Sequence, residues 1–103
     1  MSALIYEVQL HVNVDIAQAY RAWLQTHVQD MLAVPGFVSA QLFEVLEPAP
    51  AQDQVVLCVQ YHVHGMAALQ DYFEHRAPRM RAEGIERFGN RFRASRRVLQ
   101  AID

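Results

Sequence analysis

The sequence contains no lysine: all nine basic residues are arginines, against eleven acids, for a net charge of −2. It has one cysteine, Cys58, which excludes an internal disulfide and makes a cytoplasmic address the expectation. No apolar run approaches the roughly 18 residues a membrane-spanning helix needs. The stretch Met1-Ser2-Ala3-Leu4-Ile5-Tyr6-Glu7 lacks a basic segment and carries an acid early, unlike a signal peptide. There is no Cys-x-x-Cys for a metal-transfer domain and no glycine-rich phosphate loop. Neither a cofactor nor a dedicated metal site is therefore expected.

What remains is 52% hydrophobic, the composition of a globular chain, and residues 1–103 read as a single domain with a modest core. Charge is unevenly spread. Residues 1–75 hold one arginine against eight acids, whereas residues 76–103 hold eight arginines against three. Such asymmetry can mark an anion or nucleic-acid surface, but Glu83 and Glu86 interleave Arg79, Arg81 and Arg87, so a solvated helix face is the plainer reading.

Two near copies organise the chain. Val8-Gln9-Leu10-His11-Val12 returns 51 residues later as Val59-Gln60-Tyr61-His62-Val63. Both sit in alternating runs that read as strands. In Leu4–Val12, positions 4, 6, 8, 10 and 12 are apolar while Glu7, Gln9 and His11 face the other way. In Val55–Val63, Val56, Cys58, Gln60 and His62 form the second side.

After the first strand, Asp15 and Gln18 carry a capping-box signature for a helix through Tyr20, Trp23, Leu24 and Met31 that Pro35-Gly36 stops. Phe37–Glu47 reads as a strand with Val38, Ala40 and Leu42 on its core side and Ser39, Gln41 and Phe43 opposite. A proline-containing loop, 48–53, leads to the second copy. A helix follows Gly65 and breaks near Arg76-Ala77. Pro78 is expected at the first position of a new helical piece, which ends at Gly89. Phe92–Ile102 is the last strand. Arg96 and Arg97 are adjacent, so only one of them can face each side.

The order β-α-β-β-α-β predicts an α+β, ferredoxin-like fold: a four-stranded antiparallel sheet with both helices on one face. The two copies are expected at its centre as parallel neighbours. The face away from the helices, carrying Glu7, Gln9, His11, Gln41, Cys58, Gln60 and His62, would remain open. A half-apolar open sheet usually finds a partner, and a homodimer pairing two sheets into an α/β barrel is the expectation.

Several strings then resemble a bacterial domain-of-unknown-function family, DUF4286, of ferredoxin-like proteins similar to dimeric α/β-barrel proteins. They are Trp23-x-x-x-His27, Pro35-Gly36-Phe37-x-x-Ala40, Val59-Gln60-Tyr61, Tyr72-x-x-His75-x-Ala77-Pro78-x-Met80-Arg81 and Arg87-Phe88-Gly89-x-x-Phe92. The resemblance spans Tyr6 to Leu99. It implies the fold and a dimer, and it brings no activity with it.

Candidate chemistry gathers in two places. With parallel central strands, His11 and His62 would lie within a few ångströms, joined by Gln9 and Gln60, with His64 nearby. These side chains could line an inter-sheet cavity and hold a small oxygenated molecule. A histidine there could also serve as general base in a cofactor-free enzyme, monooxygenase- or isomerase-like. Two histidines with Glu7 could in principle bind a metal, but Glu7 lies about 13 Å along the strand from His11. Cys58 reads as inert packing. The second place is the helix break, where His75, Arg79 and Arg81 could bind an anion through arginine forks, or the arginines could pair with Glu74 or Glu83. Trp23 and His27, four apart, read as core partners. Nucleic-acid binding of the stacking type is not expected, because the central strands' open face lacks aromatics. Acyl-phosphate hydrolysis in this fold would want an arginine where the chain has Asn13-Val14-Asp15. The leading reading is a homodimeric small-molecule-binding or interaction module. A purely structural role, with the arginine-rich segment presented to an acidic protein, is a third.

Overall fold

The computed structural model describes residues 3–102. Its elements are β1 (Leu4–Asn13), a 3-10 turn (Val14–Ile16), α1 (Ala17–Leu32), β2 (Phe37–Glu44), β3 (Gln54–Val63), α2 (Met66–His75), α3 (Ala77–Phe88), a second 3-10 turn (Gly89–Arg91) and β4 (Phe92–Gln100). The four strands form one antiparallel sheet in the order β2-β3-β1-β4. This is the ferredoxin-like arrangement that the element order predicts.

Alternation builds the core. Leu4, Tyr6, Leu10 and Val12 from β1 and Leu57, Val59, Tyr61 and Val63 from β3 are buried on the helix side. Against them α1 lays Tyr20, Leu24, Val28 and Met31, a stripe at helical spacing. Burying each such aliphatic side chain contributes about 1.5–3 kcal/mol, so this stripe, more than intrinsic propensity, holds the helix in place. Leu69 and Tyr72 do the same for α2, and Ala77 and Met80 for α3. The α1–β2 turn needs its glycine twice over. Gly36 has φ +88°, and a Cβ there would run into Ala68 of α2.

The central strands are antiparallel, not parallel, and this corrects the pairing expected of the two copies. β1 and β2 do point the same way, as a βαβ unit requires, but β3 is inserted between them. The two halves are thus related by a two-fold through the sheet, and their copied strands meet head to tail with Val8 opposite Val59. His11 pairs with Val56 and His62 with Ile5. The two histidines therefore stand six positions apart along the ladder, roughly 20 Å, and do not converge.

Smaller departures have local causes. The Asp15–Gln18 capping box does not form, since no side-chain cap is made at either helical start and Asp15 instead pairs with Arg91. A bulge between Phe37 and Ser39 shifts the start of β2, so Phe37 takes the core position (6% exposed) and Val38 turns outward (68%). β2 ends at Glu44 and leaves Leu46 exposed. The helix break falls at Arg76, and Ala77 opens α3 with Pro78 second, where its missing N–H costs nothing. β4 settles the arginine pair: Arg97 lies opposite Glu7 on the open face, and Arg96 lies opposite Val8 on the helix side.

Candidate functional site: a cavity under the helices

On the open face the polar side chains bond to each other. The Glu7 carboxylate, only 6% exposed, accepts from Gln60 Nε2 at 3.0 Å and Arg97 Nε at 2.6 Å. The bond from Arg97, aided by Gln60, holds its pKa below the ordinary carboxylate value despite burial. Cys58, buried beside them, is pushed up by burial and by the Glu7 charge, so the thiol stays protonated and inert. Gln9 Nε2 donates to His11 Nε2 at 3.2 Å. His62 is exposed near the far end of the ladder, and His64 lies just beyond β3. Gln9, His11 and Gln60 thus form a neighbourhood that His62 does not join. Among the described residues, no group of three or more His, Cys, Asp or Glu side chains is placed to share a metal ion.

The helix side is different. Between the sheet and the helices lies a cavity of about 540 Å³. Its floor is Tyr6, Val8 and Leu10 of β1 with Val59 and Tyr61 of β3. Its roof is Tyr20, Trp23 and His27 of α1, Tyr72 of α2, and Met80, Arg81 and Gly84 of α3. Ile85, Asn90 and Arg96, all exposed, mark its mouth between α3 and the edge strand β4. The volume falls in the range of small-molecule sites, and the wall is predominantly apolar, rich in aromatic rings, with a few polar groups.

Ring contacts shape the wall. Trp23 and His27, one helical turn apart, stack at 4.7 Å with planes 18° apart. Tyr6 stacks on Tyr61 at 5.9 Å and meets Phe73 edge-on at 5.4 Å. Gly84 lets α3 approach α1 and β4, since a Cβ there would stand 3.1 Å from the Trp23 indole and 3.3 Å from the Phe92 ring. Arg81 donates from Nη2 to the Tyr6 hydroxyl at 3.4 Å and lies 6.0 Å from the Phe73 ring centre.

Two buried polar atoms in this wall have no hydrogen-bond partner, His27 Nδ1 and Arg81 Nε. Such atoms are costly and rare in native structures, which makes their presence around one cavity informative. Burial pushes the His27 pKa down, so its imidazole is neutral at pH 7. Burial likewise pushes Tyr20, Tyr61 and Tyr72 far up, so their hydroxyls remain protonated.

The anion-binding trio expected at the helix break is divided. His75 is exposed beside Glu74 (3.6 Å) and Asp71 (3.8 Å), and Arg79 is exposed on α3. Arg81 alone enters the cavity. None of Gln9, His11, Gln60 or His62 lines it. His27, Arg96 and Asn90 are wall residues that sequence reasoning passed over or left unassigned. A signal existed for two features: the i,i+4 spacing of Trp23 and His27, and a glycine in mid-helix at position 84 that marks a close approach.

Solved structures of the same fold cover nearly the whole chain. A conserved protein of unknown function from Bacteroides thetaiotaomicron, described as a possible oxidoreductase, matches with TM-score 0.71 and 14% identity over 97% of this chain and 98% of its own. SnoaB, a cofactor-independent oxygenase from Streptomyces nogalater, matches in a variant form with TM-score 0.69 and 10% identity, over 97% and 94%. A dimeric ferredoxin-like protein from an uncultured marine organism matches with TM-score 0.66 and 10% identity, over 100% and 98%. At these identities the likeness is one of fold. No curated protein sequence matches. The family model described as "Domain of unknown function (DUF4286)" matches residues 3–102, and the chain belongs to that family.

Proposed function

We propose that the protein is a homodimeric small-molecule-binding protein whose open sheet face pairs with a second copy and whose ligand sits in the cavity under each protomer's helices. The observation that carries this reading is the cavity itself: about 540 Å³, aromatic-walled, with His27 Nδ1 and Arg81 Nε unpartnered in its lining. An empty space of this size leaves its walls short of packing contacts, which a bound molecule would restore. Pairing of the open faces is supported by the neighbour described as dimeric. It would also cover Phe43, which is 40% exposed there. Gln9, His11 and Gln60 then belong to the seam between sheets, with His62 at its margin.

A second reading, a cofactor-free enzyme of the oxygenase or isomerase kind, is favoured by one further observation. His27 lines the cavity, is neutral, and has one ring nitrogen that no group of the chain bonds, a histidine suited to act as a general base. One neighbour of this fold is named as a cofactor-independent oxygenase. Under this reading His27→Gln retains binding and loses turnover.

Trp23 is the only tryptophan and lies in the cavity wall, so its emission reports on the site directly. Titration with 2-naphthol and 2-naphthoate should quench it saturably, and Gly84→Leu, which forces a side chain among Trp23, Phe92 and the cavity, should abolish the response. Sedimentation should give a dimer at micromolar concentration. An unquenched Trp23 with every aromatic probe would refute the cavity, and a monomer would refute the paired sheets.

A further inference from the structure

The wall of the cavity contains two arginines, Arg81 and Arg96, and no aspartate or glutamate. Both arginines come from the arginine-rich segment 76–103, and neither Glu83 nor Glu86 of that segment joins them in the lining. Of the other arginines, Arg21 pairs with Glu44 at 2.5 Å, Arg91 with Asp15 and Arg97 with Glu7 at 2.6 Å, while Arg79, Arg87 and Arg93, unpaired among the described residues, are exposed to water. Neither Arg81 nor Arg96 forms an ion pair among the described residues. Arg81 is half-buried, its Nε bonds to nothing, and its one polar contact is a neutral phenol at the long distance of 3.4 Å. A guanidinium taken partly out of water without a counter-charge is unfavourable, and the geometry leaves the counter-charge to be supplied from inside the cavity.

We infer that the cavity takes a largely aromatic ligand bearing one anionic oxygen group, a carboxylate or an ionised phenol or enol, with Arg81 and Arg96 holding that group near the mouth. The inference rests on the cavity reading above and adds the charge of the occupant. Arg81 reaches the hydroxyl of Tyr6, and Arg96 sits opposite Val8, two residues along the same face of β1, so both border the same side of the wall. The tyrosine hydroxyls, kept protonated, are further donors to an oxyanion. Neutral His27 does not repel an aromatic body, and its stack on Trp23 offers a flat apolar surface. A cationic occupant would meet two like charges and find no carboxylate.

The test compares 2-naphthoate with its uncharged isostere 2-naphthamide at pH 7.5, read by Trp23 quenching and by calorimetry, on the native chain and on Arg81→Gln and Arg96→Gln. Charge-assisted bonds of this kind are worth about a factor of ten or more in affinity. Naphthoate should therefore bind at least about tenfold more tightly than the amide, and each substitution should remove most of that margin while leaving the amide unchanged. Equal binding of the two probes, or a preference for the amide, overturns the anionic occupant and leaves the cavity reading standing. Binding of neither overturns both. A naphthoate preference that survives both substitutions overturns the assignment to these two arginines.

Discussion

The two faces of the sheet carry the same strands and treat charge in opposite ways. Along β4, Arg96 and Arg97 are consecutive and project to opposite sides. Arg97 meets Glu7 directly across the ladder and is neutralised. Arg96 meets Val8 and is left over a cavity walled by rings. The open face satisfies its polar groups internally through Glu7, Gln60 and Arg97. The helix face leaves His27 and Arg81 unsatisfied. A face that has closed its own hydrogen bonds is prepared to meet a second protein surface. One that holds unpartnered polar atoms beside a void is prepared to meet a ligand.

The largest effect that tests this contrast is on stability. Tyr61 is 2% exposed and packs on Tyr6 at 5.9 Å and Phe37 at 5.7 Å, whereas its neighbour Gln60 points to the open face with one bond to Glu7. Tyr61→Ala should cost about 3–5 kcal/mol in chemical denaturation, as removal of a buried ring does. Gln60→Ala should cost about 1 kcal/mol, because Arg97 still holds the carboxylate. Similar costs at the two positions would mean that Tyr61 does not carry the packing its burial implies.

The next effect separates the arginines by pH. Because Glu7 titrates below its unfolded value, its bond to Arg97 stabilises the fold fully above the ordinary carboxylate range, near 4.5, and that contribution is lost as pH falls through the lowered folded value. Arg97→Gln should therefore lower the melting temperature most at neutral pH and converge on the native chain in acid, with naphthoate affinity unchanged. Arg96→Gln should do the reverse, altering affinity and leaving the acid limb alone. An Arg97→Gln deficit that persists undiminished at pH 3 would show that Glu7 is not the group it holds.

Much of the fold can be read from alternation alone. The apolar parity of Leu4–Val12 and Val55–Val63, the stripe of α1, and the break at Arg76 all appear where spacing puts them. Strand direction does not, because two similar strings have the same spelling whether their strands run parallel or antiparallel. The Glu7–Arg97 pair answers a separate question: it forms with β4 in its observed register, which sends Arg96 to the other face. The site was harder. His11 and His62 attract attention as paired histidines, yet direction separates them. The cavity is a property of what the side chains fail to fill. Sequence displays residues and not gaps, and only the i,i+4 pairing of Trp23 with His27 and the mid-helix glycine at position 84 point to where the walls come close.

The smallest predicted effect bears on that glycine. In a helix interior, alanine is favoured over glycine by about 1 kcal/mol. At position 84 the new methyl would stand 3.1 Å from Trp23 Cη2 and 3.3 Å from Phe92 Cζ, so one ring must give by a few tenths of an ångström. Trp23 borders open space and can yield toward the cavity, which should absorb the strain and leave stability within about 1 kcal/mol of the native chain. The displaced indole should instead register as a shifted Trp23 emission and weaker binding of naphthol and naphthoate alike, since the methyl narrows the cavity without touching its charge. An equivalent small change on the open face, such as Ser39→Ala, should move neither reading. If Gly84→Ala gained the full helix-propensity benefit with emission and affinity unaltered, the rings would have room to spare, and Gly84 would not be what brings α3 close enough to shape the cavity.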